Sequence, residues 1–85
     1  MRAFAAEVGL TSNKILDYLR EKDVLYLNND PCPDYEDWFQ FHWPVRYDLT
    51  PHGESMVRKM IETDGIDYVN GRKVIGDNRK GKWKP

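Results

Sequence analysis

The chain has a single cysteine, Cys32, in 85 residues, so no disulfide can form within it, whereas a secreted domain of this size ordinarily needs several. It also lacks a long apolar run. Within residues 1–20 the charged side chains of Arg2, Glu7, Lys14, Asp17 and Arg20 interrupt every apolar stretch, which excludes a signal peptide and a membrane span from the expected organisation. A reducing, cytoplasmic setting follows as the expectation. No internal repeat and no low-complexity segment is present, and the length allows one domain burying only about 60–65% of the surface its unfolded form exposes. What is abundant is aromatic: 13% of residues, within a hydrophobic total of 40%. That suffices for one compact core if the rings of Trp38, Phe39, Phe41, Trp43 and Tyr47 lie inside it.

A net charge of −1 hides a division. Residues 1–69 hold 7 Lys/Arg against 13 Asp/Glu, a net of −6, while residues 70–85 hold Arg72, Lys73, Arg79, Lys80, Lys82 and Lys84 against Asp77 alone, a net of +5. An acidic body with a basic tail invites an acidic partner surface or nucleic acid at the tail.

The apolar spacing of Phe4, Ala5 and Val8 predicts a helix over Arg2–Val8, ended by Gly9, with Leu10 turned inward to pin the turn. Thr11 and Ser12 supply capping oxygens for a second helix reaching Lys22 or Asp23. Its buried stripe is Ile15, Leu16 and Leu19, flanked by Tyr18, and its polar face shows Asn13, Lys14, Asp17, Arg20 and Glu21. Residues 24–27 read as a strand, stopped by Asn28-Asn29-Asp30-Pro31 and Pro33. Residues 34–37 read as an acidic loop or single turn. Alternation over residues 38–43 puts Phe39, Phe41 and Trp43 on one face of a half-buried strand, and residues 46–49 make its partner with Tyr47 and Leu49 inward. Thr50-Pro51 opens a further helix with Met56, Val57, Met60 and Ile61 on one side, ending near Thr63 with Gly65 as cap. Asn70-Gly71 between residues 66–69 and 72–75 reads as a β-hairpin.

Ala5, Gly9 and Ile15 stand at helix-turn-helix spacing: a small residue where two helices touch, a glycine in the turn, and a branched apolar residue in the second helix. The order helix, helix, strand, turn, strand, helix then predicts an α+β winged helix-turn-helix over residues 1–64, with the wing around Pro44-Val45. Residues 65–85 form a C-terminal hairpin or basic tail.

The runs Phe4-Ala5-Ala6-Glu7-Val8-Gly9-Leu10, Asn13-Lys14-Ile15-Leu16, Tyr18-Leu19-Arg20-Glu21-Lys22, Pro33 to Phe41, and Asp48-Leu49-Thr50-Pro51-His52-Gly53-Glu54 give this chain a likeness over residues 2–62. It resembles the C-terminal domain of phage antirepressors, of the KilAC type. Members usually follow the helix pair with an "LRE" sequence, here Leu19-Arg20-Glu21, and open the last helix with a "TPKG"-like turn, here Thr50-Pro51-His52-Gly53 with histidine for lysine. The middle segment is more acidic than in the family, and fewer residues precede the first helix. The resemblance implies a phage or prophage origin and a regulatory role associated with nucleic acid, in the cytoplasm of a bacterial host.

On this reading the second helix enters the major groove of double-stranded DNA. Asn13 is the reader of adenine and Arg20 of guanine, with Lys14 and Asp17 also in reach. Thr11 and Ser12 bond phosphate, and Arg46 on the wing with Arg72, Lys73, Arg79, Lys80 and Lys82 in the tail add affinity without sequence preference. Trp83 among the tail lysines is placed to stack on a base or a partner. Against this, Lys14, Arg20 and Lys22 are balanced by Asp17, Glu21 and Asp23, so the reading helix is neutral. The alternative is a winged helix that grips a protein, such as a repressor, polymerase or defence factor, through an acidic and aromatic edge of Asp34, Glu36, Asp37 and Trp38. Apolar surface near Phe4 and Leu10 would favour a homodimer. His42, His52 and Cys32 lack the close spacing of a zinc site. No nucleophile or phosphate-cradling loop accompanies the acidic residues, so neither a cofactor nor an enzyme is expected.

Overall fold

The computed structural model describes residues 1–42, 46–71 and 82–83. Its first helix, α1, spans Arg2–Val8 and ends at Gly9 in the left-handed conformation, φ +77°. There the Leu10 N–H reaches back to the Ala5 carbonyl at 2.8 Å and the Gly9 N–H to that of Ala6 at 3.2 Å, closing carbonyls the helix end leaves open. Leu10 is buried, as its place after the turn predicts. The second helix, α2, spans Ser12–Glu21 and is capped by Thr11, whose hydroxyl oxygen accepts the Lys14 N–H at 3.3 Å. Ala5 of α1 and Ile15, Tyr18 and Leu19 of α2 are all buried. Tyr18, expected at the flank, lies in the centre because its hydroxyl is satisfied by Asp64 and by the Met60 carbonyl at 3.2 Å. A buried tyrosine needs such a partner.

Residues 24–27 do not form a strand. Val24, Leu25, Tyr26 and Leu27 are all buried, but the Val24 and Leu25 N–H groups both return to the Leu19 carbonyl, at 2.9 and 3.3 Å, to close the end of α2 instead of entering a strand ladder. A tight reversal replaces it, held by a lone bridge between Leu25 and Pro31 and by the Tyr26 N–H to the Asp30 carbonyl at 2.8 Å. Pro31 and Pro33 have no N–H with which to extend a ladder. The expected acidic turn is a 3-10 helix over Pro33–Trp38, in which Tyr35 and Trp38 meet edge to face at 4.8 Å.

Strands β1 (Phe39–His42) and β2 (Arg46–Leu49) form an antiparallel pair. Phe39 opposes Leu49 and both are buried; Phe41 opposes Tyr47, and these are 53% and 39% exposed. The face predicted from alternation is therefore correct, but the expectation that Phe41 and Tyr47 lie in the core is not. Only the Phe39–Leu49 pair is covered by the core, and the two rings of the next pair instead cover each other edge to face at 5.3 Å. Trp43 and the wing turn at Pro44-Val45 lie outside the described residues.

The third helix, α3, spans Pro51–Asp64, with the Thr50 hydroxyl oxygen accepting the Gly53 N–H at 3.0 Å. Val57 and Ile61 are buried, with Met56 and Met60 packed beside them. After Gly65 comes a short helix, α4, over Ile66–Asn70, where the first half of a β-hairpin was expected. Gly71 sits at φ −79°, and a type I′ turn would need it positive. The cause is tertiary: Val69 is fully buried in the common core, and seating that side chain outweighs the strand preference of its neighbours. Residues 72–75 lie outside the described residues.

The whole is a small α+β arrangement of helices and a two-strand antiparallel sheet, compatible with the winged order. Phe4 and Leu10 are buried, so the apolar surface expected to drive self-association is not there. Among the described residues no helix is long and apolar enough to cross a membrane.

Candidate nucleic-acid interface

The polar residues predicted on α2 and its cap are presented unequally. Thr11 and Asn13 are exposed, while Ser12 and Lys14 are half-buried. Asp17 and Arg20 are more enclosed, with 13% and 15% of their side chains exposed and Arg20 Nη2 lying 3.7 Å from Asp17 Oδ1. Arg20 Nη1 also donates to the Asn29 side-chain oxygen, and its buried Nε has no hydrogen-bond partner among the described residues. A guanidinium so tied reads a base only by leaving the 26–31 turn. Lys14 is engaged as well, its ammonium donating to the Asn70 carbonyl oxygen at the end of α4.

The hairpin lies beside the N-terminal half of α2. Ser12 and Leu16 of α2, Phe39 and Tyr47 of the hairpin and Arg2 of α1 line one cleft of about 400 Å³, with Asn28 and Asp30 also in its lining. Arg2 is a basic residue that the sequence reading left out. Its position as first residue of a helix that turns directly into α2 was the available signal. Arg46 opens β2 opposite His42. At the tail, the Lys82 carbonyl accepts the Leu27 N–H at 2.9 Å and the Lys82 ammonium stands 5.6 Å from the Tyr26 ring centroid. Lys82 therefore returns to the turn that holds Arg20. Trp83 is exposed. Arg72, Lys73, Arg79 and Lys80 lie outside the described residues.

The acidic edge is differently composed from the one expected. Asp34, Glu36 and Asp37 are exposed on the 3-10 helix, but Trp38 is buried, 8% exposed. The reason is local: its carbonyl accepts the Thr50 N–H at 2.9 Å and the Thr50 hydroxyl donates to the Asp37 carbonyl at 3.1 Å, so this residue is drawn under the start of α3. His52 Nε2 lies 3.7 Å from Asp37 Oδ2.

The Asp64 carboxyl and the Cys32 thiol both depart from their ordinary values. Hydrogen bonds from the Tyr18 hydroxyl and the Lys22 ammonium hold the Asp64 carboxyl below 3.8. Burial pushes the Cys32 thiol above 9.0, which leaves it a core residue and not a nucleophile. Among the described residues no cluster of three or more His, Cys, Asp or Glu side chains is placed to hold a metal ion. No family model, no curated protein and no solved structure matches this chain.

Proposed function

We propose that this chain is a phage-type, antirepressor-like regulatory module that binds double-stranded DNA through a winged helix-turn-helix, and that it is not an enzyme. The observation that carries the reading is the shared cleft: Ser12 and Leu16 of α2 line it together with Phe39 and Tyr47 of the hairpin. Helix and hairpin thus flank one side of the molecule, as a reading helix and its wing must in order to meet one duplex. The left-handed turn at Gly9 and the Thr11 cap fix the angle of α2 and leave Asn13 outward. Asn13 is the base reader, since its amide can pair with adenine N6 and N7. Thr11, Ser12 and Arg2 contact phosphate, and Lys82 with the other tail cations adds charge to a body that is otherwise acidic. Arg20 acts mainly as a brace for the 26–31 turn.

Binding to a selected duplex and to random duplexes tests this. Asn13→Ala is expected to cost about 1–3 kcal/mol on the selected sequence and little on random ones, with an unchanged salt slope. Equal loss on both would remove Asn13 as a reader, and no binding by the unaltered chain at about 50 mM salt, where phosphate contacts are strongest, would sink the DNA reading itself.

A second reading has its own support in the three exposed carboxylates of Asp34, Glu36 and Asp37 on one short helix, which suit a basic protein surface. Replacing all three by their amides would abolish such binding and leave DNA affinity unchanged or improved.

A further inference from the structure

We propose that α4 is a displaceable strap on α2, and that duplex DNA competes with it for the Lys14 ammonium; this rests on the DNA-binding reading above. Positions 14, 18 and 21 of α2 and its capping residue Lys22 share one flank of the helix, and every one is engaged from the α3–α4 side. Lys14 donates to the Asn70 carbonyl, one of the last carbonyls of α4, which have no partner within their own helix. Tyr18 donates its hydroxyl to the Asp64 carboxylate. The Tyr68 hydroxyl lies 3.2 Å from Glu21 Oε2, and Lys22 Nζ 3.1 Å from Asp64 Oδ2.

What seats the strap is slight. Of the five side chains of α4 only Val69 is buried, while Ile66 and Tyr68 are exposed. Five residues do not sustain a helix alone, so α4 exists because Val69 is docked, and Gly65, φ +94°, joins it to α3 as a separate unit. The Asn70 carbonyl is a neutral acceptor. Both bonds are assisted by the charge of the ammonium, but a phosphate oxygen carries a formal negative charge where the carbonyl oxygen carries only a partial one, so the ammonium gains coulombic attraction by exchanging one for the other. While the strap is seated the Lys14 ammonium is held at the end of α4 and kept from the phosphate position, and the apparent affinity of the DNA complex that uses it is scaled down by the fraction of molecules in which the strap has lifted.

The test uses the full chain, a fluorescently labelled random duplex and a salt series, with Tyr68→Ala and Val69→Ala as loosening substitutions. Both are expected to bind about 3- to 10-fold tighter than the unaltered chain with the same log–log salt slope, because Lys14 meets phosphate in the bound state of all three, whereas Lys14→Ala alone should lower the slope by about 0.9. Adding Lys14→Ala to either should cancel the gain. Tyr68→Ala, a surface change, keeps the test decisive should Val69→Ala unfold the chain. If the unaltered chain binds and the loosened variants bind no better, or keep their gain without Lys14, the strap is overturned and the DNA reading stands. If no version binds, both are overturned.

Discussion

Replacing Gly53 by alanine separates helix propensity from packing, because the two predict opposite signs. Gly53 lies in the first turn of α3, where alanine is favoured over glycine by about 1 kcal/mol on propensity alone. A Cβ at this position, however, would overlap the Trp38 carbonyl oxygen and come within 2.8 Å of the Trp38 carbonyl carbon. That backbone cannot easily give way. The same oxygen accepts the Thr50 N–H, and the Thr50 hydroxyl holds the neighbouring Asp37 carbonyl. Relief requires α3 to move off the 3-10 helix by roughly 1 Å, an overpacking cost of about 1–3 kcal/mol, with about 1 kcal/mol more for the weakened Thr50 bond. After the propensity gain the net destabilisation is about 1–3 kcal/mol, which in a domain of this size lowers the melting temperature by roughly 4–8 °C per kcal/mol. Thermal unfolding followed by circular dichroism measures it. Gly9→Ala is the control: nothing lies within 4 Å of its added Cβ, so only the left-handed φ costs, about 1–2 kcal/mol. A Gly53→Ala chain melting at or above the unaltered one would refute the close approach of α3 to Trp38.

Two further outcomes follow from burial and charge. Phe39→Ala removes a buried ring and should cost about 3–5 kcal/mol, whereas Phe41→Ala, one position along the same face but half exposed, should cost little more than the edge-to-face contact with Tyr47, about 0.5–1.5 kcal/mol; urea unfolding compares them, and equal costs would place both in the core. Asp64 is held below its ordinary value of 3.8 by Tyr18 and Lys22, so its contribution is fully present above that pH and is lost as pH falls through the lower folded value. The difference in melting temperature between the unaltered chain and Asp64→Asn should accordingly be constant near neutrality and shrink below about pH 4, and a difference that persists down to about pH 2 would break the link to ionisation.

Local chemistry made much of the fold legible in the sequence. Gly9 can take a positive φ, Thr11 and Thr50 can cap, and Pro51 suits a first helical position, so the ends of α1 and the starts of α2 and α3 follow from the residues themselves. Alternation likewise assigned the faces of β1 and β2. The candidate interface was legible as a set of polar residues on α2, but not as an arrangement. Whether Lys14 and Arg20 are free or engaged depends on α4 and the 26–31 turn, which are distant in the chain. Trp38 shows the same limit, since its burial follows from Thr50 gripping its carbonyl across twelve residues. The segments where the reading failed, 24–27 and 66–70, are those whose side chains are claimed by the core. Four consecutive buried residues in one and a single seated valine in the other outweigh local preference, because burial is decided by what the rest of the chain places opposite. The sequence by itself thus determined where elements begin and end. Tertiary structure decided which apolar faces have something to cover them and which cations are already engaged.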